Sequence, residues 1–134
     1  MEKVNVIIEK STEGYSAFVP QLSGCVATGD SVLETQRNIK EAIHLHIDGM
    51  KEDGDPIPSE FKGDFDLVFT FDIETFLIYY EKIFSKRALS RLSGINESLL
   101  SQYASGLKKP RKLQSKRLEE SIHSLAKDLL QIQF

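Results

Sequence analysis

The first part of the chain contains three short apolar runs bounded by turn residues, which predict β-strands at residues 4–9, 15–19 and 25–28. In the second strand, Tyr15, Ala17 and Val19 fall on one face of the sheet and Ser16 and Phe18 on the other. Gly14 lies in the turn before that strand, where a glycine adopts a positive φ without steric cost. We expect these strands to form an antiparallel start to a sheet.

The spacing then changes to that of an α-helix. Ser31 and Glu34 form a capping box at its start. One face of the helix is apolar, through Val32, Ile39, Ile43, Ile47 and Met50. A proline-containing connector at residues 55–60 leads to a fourth strand at residues 66–71. The order β-β-β-α-β therefore predicts a sheet with a helix on one face over residues 1–71.

Residues 72–134 show only helical spacing, so the chain is predicted to be α+β, with an all-helical second domain. Asp72 is a plausible N-cap for a helix over residues 73–84. Its apolar face comprises Ile73, Phe76, Leu77, Tyr80 and Phe84. A last amphipathic helix is predicted at residues 113–130, through Leu118, Ile122, Leu125 and Leu129. The second domain should therefore contain four or five helices.

Between these helices lie two shorter helical patterns separated by a glycine turn. Their apolar positions are Leu89, Leu92, Ile95, Leu100 and Tyr103. Gly94 can take the left-handed conformation that ends the first helix, and Asn96 is a good N-cap for the second. Ser90 is small where the two backbones approach. Two short helices joined in this way are typical of a helix-turn-helix.

Charge is segregated along the chain, although the total is only −3. Residues 1–71 hold 6 basic and 13 acidic groups, a net charge of −7, whereas residues 72–134 hold 11 basic and 7 acidic groups, a net charge of +4. Residues 82–117 alone carry ten Lys or Arg and one acid, Glu97. This distribution favours two different partners for the two domains, and a nucleic acid for the second.

The segment around Gly94 resembles the phage-repressor (XRE-type) helix-turn-helix family, with Ser90 where alanine is usual and Tyr103 where an aliphatic residue is usual. We expect residues 96–105 to enter the major groove of operator DNA. The predicted base-facing residues are Asn96, Glu97, Ser98, Ser101 and Gln102. The predicted phosphate-facing residues are Lys86, Arg87, Lys108, Lys109, Arg111 and Lys112. Repressors of this type read two half-sites, so we expect a homodimer or a higher homo-oligomer.

A dense set of short motifs occupies residues 14–50. They are Gly14-Tyr15, Phe18-Val19-Pro20, Leu22 with Gly24-Cys25, Thr28-Gly29-Asp30, and Asn38-Ile39-Lys40-Glu41-Ala42-Ile43. Together they resemble the HicB antitoxin family, with Gln21 as a minor departure because an acidic residue is common there. The resemblance implies a partial RNase H-like fold, a small HicA-like mRNA-cleaving toxin as partner, and repression of the protein's own operon. It supplies no motif of catalytic residues.

Two other functions are alternatives to an antitoxin and autorepressor. The first is a helix-turn-helix transcription regulator whose acidic domain binds a ligand or partner other than a toxin. The second is a metal-dependent nuclease, which needs carboxylates projecting to one point. The available acids, Glu9, Asp30, Asp66 and Asp72, are scattered over strand ends and turns, so we expect no enzyme activity.

The remaining candidate residues do not form a metal or cofactor site. His44 and His46 are two apart on a predicted helix and point about 200° apart, so they cannot share a metal. Cys25 is the single cysteine and is expected to be a half-buried structural thiol. No apolar run approaches the roughly 18–20 residues of a membrane span, and the N-terminal apolar core is too short for a secretory signal. These features favour a cytoplasmic protein with no cofactor and no membrane partner.

Overall fold

The computed structural model describes all 134 residues, which form two compact units, Met1–Asp72 (unit 1) and Ile73–Phe134 (unit 2). Unit 1 has the predicted β-β-β-α-β order. Its elements are β1 (Glu2–Ser11), β2 (Gly14–Phe18), β3 (Val26–Gly29), α1 (Val32–Asp53), a 3₁₀ turn (Ser59–Phe61) and β4 (Phe65–Phe71).

The four strands form one mixed sheet in the order β3-β2-β1-β4. β2 is antiparallel to both β1 and β3, which confirms the predicted antiparallel start. β4 is parallel to β1, with Val4 opposite Leu67 and Ile8 opposite Phe71. A parallel neighbour needs a long crossover connection, and α1 with its connector supplies it.

The core of unit 1 lies between α1 and one face of the sheet. Val4, Val6 and Ile8 of β1 are fully buried, and they cluster with the apolar face of α1, including Ile39 and Ile43. Because these alternate residues of β1 all point toward α1, the residues between them lie on the opposite face of the sheet.

The start of α1 is fixed by the predicted capping box. The Glu34 backbone N–H donates to Ser31 Oγ at 3.0 Å, and the Glu34 carboxylate accepts from the Asp30 backbone N–H at 3.2 Å. Thr35 adds a contact that the apolar pattern did not predict, since its fully buried hydroxyl donates to the Ser31 carbonyl at 2.7 Å. These bonds satisfy amide and hydroxyl groups that the first turn would otherwise leave unpaired.

Unit 2 contains four helices, as the spacing predicted. They are α2 (Ile73–Tyr79), α3 (Lys86–Ser93), α4 (Glu97–Ala104) and α5 (Lys112–Leu130). Its core consists of Leu77, Leu89, Ile95, Leu100, Tyr103 and Leu118. None of the helices in the chain is both long enough and apolar enough to cross a membrane.

The predicted helix over residues 73–84 is wrong in its length, because α2 ends at Tyr79. The Ile83 and Phe84 backbone N–H groups both donate to the Tyr80 carbonyl, at 3.0 and 2.8 Å, which closes a turn. Ser85 then takes an extended conformation to cap α3, so the helix cannot continue through it. The aromatic spacing misled the prediction because Tyr80 and Phe84 still contact each other within the turn.

Two residues of the predicted apolar faces are exposed in the structure. Leu92 of α3 is 38% exposed, and Leu129 of α5 is 55% exposed, whereas Leu118 earlier in α5 is buried. Both helices therefore carry an apolar stripe that is longer than the surface they bury within unit 2.

Candidate functional site

The turn between α3 and α4 is built as the sequence predicted. Gly94 ends α3 with a φ of 76° and a ψ of 6°, and its backbone N–H donates to the Ser90 carbonyl at 2.8 Å. Ile95 is 2% exposed and anchors the turn in the core. Asn96 begins α4 by accepting the Ser98 backbone N–H at 2.8 Å. The left-handed glycine and the N-cap together fix where α4 starts.

The buried hydroxyl of Ser93 stabilises this turn, a role that the sequence pattern did not predict. Ser93 Oγ donates to the Leu89 carbonyl at 2.7 Å and accepts the Ile95 backbone N–H at 3.1 Å. It therefore satisfies a buried amide that lies outside both helices. The only sequence signal for this role is a small hydroxyl residue immediately before the glycine.

The outward surface of α4 is short and polar. Asn96, Glu97, Ser98 and Ser101 are exposed, whereas Gln102 is half-buried. The Asn96 side-chain carbonyl is occupied by its capping bond, which leaves the amide NH2 group for another acceptor. The structure thus brings four of the five predicted base-facing residues to an exposed surface at the start of α4.

The predicted phosphate-facing residues lie on two segments. Lys108, Lys109, Arg111 and Lys112 are exposed in the loop that follows α4 and at the start of α5. The loop is tied to α4 because the Lys108 backbone N–H donates to the Gln102 carbonyl at 3.2 Å. Lys108 is therefore held at the C-terminal end of α4, and the other three cations follow it within four residues.

The second segment is the start of α3, where Arg87 is exposed and Lys86 is half-buried. Arg87 Nε lies 3.9 Å from Glu97 Oε2, and both side chains are more than half exposed. An ion pair of that length and exposure contributes little to stability. It does place one predicted phosphate-facing residue and one predicted base-facing residue side by side.

Arg117 is a further cation at this site that the sequence prediction did not assign. A Cβ added at Gly94 would lie 3.4 Å from Arg117 Nη2, so the guanidinium of α5 reaches the turn between α3 and α4. The Arg117 side chain is exposed. No local pattern predicts this position, since it depends on how α5 packs against α3.

The acids and thiol considered for catalysis are not brought together. Glu9 lies opposite Ser16 near one end of β1, and Asp66 lies opposite Lys3 near the other end. No group of three or more His, Cys, Asp or Glu residues in the chain could hold a metal ion. Cys25 is buried, more fully than predicted, and burial raises the pKa of its thiol.

Comparison with known proteins places unit 1 in a family. A family model described as a HicB-like antitoxin of a bacterial toxin-antitoxin system matches residues 4–65. A UPF0150 protein of Helicobacter pylori is 52% identical over 50 residues, which are 37% of this chain and 69% of that protein. An uncharacterized 14.9 kDa protein from the rep-hol intergenic region of Haemophilus phage HP1 is 45% identical over 53 residues, which are 40% of each chain.

Among solved structures, a chain of a HicA3 and HicB3 toxin-antitoxin complex is similar, with 33% sequence identity and a TM-score of 0.36. The similarity covers 39% of this chain and 60% of that one. The family model covers most of unit 1, and the Helicobacter protein is matched over more than two thirds of its length. This chain therefore belongs to the HicB-like antitoxin family, a non-enzymatic family of bacterial toxin-antitoxin systems.

Proposed function

We propose that this chain is an antitoxin and autorepressor, with residues 1–71 binding a HicA-like mRNA-cleaving toxin and residues 72–134 binding operator DNA. The family membership supports the first role because the matched residues, 4–65, lie within unit 1. A toxin that cleaves mRNA must bind a polyanion and is expected to be basic. The net charge of −7 on residues 1–71 is complementary to such a partner.

DNA binding rests on one observation, the geometry of α3, Gly94 and α4 in a segment rich in exposed cations. The short polar side chains at the start of α4 suit a helix that approaches base edges. Lys108, Lys109, Arg111 and Lys112, at the other end of α4, suit phosphate contacts that orient the helix. The cations Arg87 and Arg117 flank the same helix pair.

A dimer would let two copies of α4 read two half-sites about one helical turn apart. The seam Leu118, Ile122, Leu125 and Leu129 of α5 follows the alternating four-three spacing of a coiled coil. Leu118 is buried in unit 2, whereas Leu129 is more than half exposed. We propose that a second copy covers the exposed end of this seam.

The deciding experiment is copurification with the product of the neighbouring gene, followed by a mobility-shift assay on the DNA upstream of the pair. The proposal predicts a stable complex with a small basic toxin and a shift that depends on the operator sequence. A shift without toxin binding would favour a transcription regulator that binds a different partner through unit 1. A complex without a shift would refute the repressor role.

A further inference from the structure

One face of the unit 1 sheet faces away from α1 and carries apolar side chains that the core does not use. On β1, Val4, Val6 and Ile8 point into the core, so Ile7 lies on the opposite face. The same alternation puts Phe18 of β2 opposite to the buried Ala17. All side chains on this open face are exposed or half-buried.

The strand register joins these side chains into one row. Ile7 is paired with Phe18, and Phe18 is paired with Val26. With neighbouring strands about 4.8 Å apart, this row crosses three strands over about 10 Å. On β4, Val68 lies on the same face but apart from the row, because the Thr70 hydroxyl donates to Asn5 Oδ1 at 2.6 Å between Val68 and Ile7. Val26 is 65% exposed, Val68 is 43% exposed and Phe18 is 36% exposed.

No other surface of unit 1 has a comparable apolar patch. The other large exposed leucines are Leu33 and Leu45 on α1. They are twelve residues apart, which is about 18 Å along a helix, so they do not form one patch. Scattered exposed leucines are ordinary, whereas a contiguous apolar patch on a folded protein commonly marks an interaction site.

The surroundings of the row indicate the charge of the partner. Glu9 lies on the same face as the row at one end of β1 and is exposed. At the other end of β1, Lys3 and Asp66 lie opposite each other on this face, and their charges offset each other. The cleft between α1 and β4 does not favour a partner of one charge, because its lining includes Lys40, Lys51 and Lys62 together with Asp48 and Asp64. An apolar row whose charged neighbour is Glu9, on a unit of net charge −7, suits a basic protein with an apolar contact surface.

We propose that the open face of the sheet, centred on Ile7, Phe18 and Val26, is the surface on which unit 1 docks its toxin. The inference rests on the antitoxin function proposed above. The family match spans β1, β2 and β3, and therefore the whole row, but stops before the helix-turn-helix. A binding surface shared by the family must lie within unit 1, and this row is its one contiguous apolar patch.

The test measures the affinity of the full chain for the purified toxin encoded by the neighbouring gene, by isothermal titration calorimetry. Val26→Arg puts a charge at the β3 end of the proposed contact, at a position exposed enough to keep the fold. Burying an unpaired charge should weaken binding by about 100-fold or more. Val26→Thr keeps the β-branched shape and should weaken toxin binding by about fivefold. The matched control, Leu45→Arg on α1, should change the affinity for the toxin by less than about twofold.

Each outcome decides a separate point. If the unaltered chain does not bind the toxin, the antitoxin function itself is wrong. If it binds and Val26→Arg binds equally well, the antitoxin function stands and the docking surface is wrong. If Val26→Arg halves the mass in light scattering without changing toxin affinity, the face joins two copies of this chain and the inference is overturned. If Val26→Arg lacks the circular dichroism spectrum of the folded chain, Val26→Thr replaces it in the test. An affinity for the toxin that is weaker by about fivefold then supports the docking surface, and an unchanged affinity overturns it.

Discussion

Removing two cations from the loop after α4 gives the sharpest test of the DNA interface. Lys108 and Lys109 are exposed, and neither ammonium group has an ion-pair partner in the structure. The loop conformation is held by the backbone, through the positive φ of Gly106 and the bond from the Lys108 N–H to the Gln102 carbonyl. Lys108→Ala with Lys109→Ala should therefore remove two charges without disturbing the fold.

The size of the effect follows from counterion release. Each phosphate that a protein neutralises adds about 0.9 to the slope of log affinity against log salt. If both lysines contact phosphates, the double variant should have a slope about 1.8 smaller than the unaltered chain. The ratio of the two affinities should then shrink by about tenfold between about 50 and 200 mM salt. The loss should be the same for operator and unrelated DNA, because phosphates carry no sequence information.

The assay is a fluorescence-anisotropy titration of an operator duplex and a scrambled duplex at several salt concentrations. Lys40→Ala with Lys127→Ala is the matched control, since it removes the same charge from exposed positions outside the helix-turn-helix. The control should leave the salt slope unchanged. An unchanged slope in the Lys108 and Lys109 variant, or an equal change in the control, would refute the assignment of these lysines to phosphates.

Three further predictions concern the fold and assembly. Gly94→Ala should destabilise unit 2 by about 1 kcal/mol in urea unfolding because it forces a side chain into the left-handed region. Gly49→Ala in α1, where no atom lies near the added Cβ, should instead stabilise unit 1 by about 0.5–1 kcal/mol. Equal effects of the two substitutions would contradict this prediction. Burial raises the pKa of the Cys25 thiol, so at neutral pH it should react with iodoacetamide at least about tenfold more slowly than in urea. Rapid reaction in the folded chain would contradict that burial. Leu129→Glu should convert a dimer into a monomer in light scattering, and a dimer that persists would exclude the exposed seam of α5 as its interface.

The features predicted correctly from sequence are those fixed by neighbouring residues. The Ser31 and Glu34 capping box, the left-handed Gly94 and the Asn96 N-cap each depend on a few consecutive residues, and each has the predicted geometry. The helix 73–84 was overextended because aromatic residues spaced four apart also fit a turn. The Ser85 cap, which starts the next helix, was the local signal against it.

Features set by distant packing could not be predicted. The position of β4 beside β1 depends on pairing residues more than sixty positions apart, such as Val4 and Leu67. The approach of Arg117 to Gly94 depends on how α5 packs. Ser93 is an ordinary polar residue in the sequence, and only the buried Ile95 amide gives its hydroxyl a role. These contacts have no periodic signature, so apolar spacing cannot reveal them.

The opposite charges of the two halves make salt a way to separate the two proposed activities. DNA binding by a helix-turn-helix with several phosphate contacts should weaken by orders of magnitude as salt rises. Toxin binding centred on the apolar row from Ile7 to Val26 should lose mainly its electrostatic steering, because apolar contacts are not screened. The dissociation rate of the toxin should then stay nearly constant over the salt range in which the operator is released. A toxin complex that dissociates in parallel with the DNA complex would mean that acidic side chains, and not the open face of the sheet, hold the toxin.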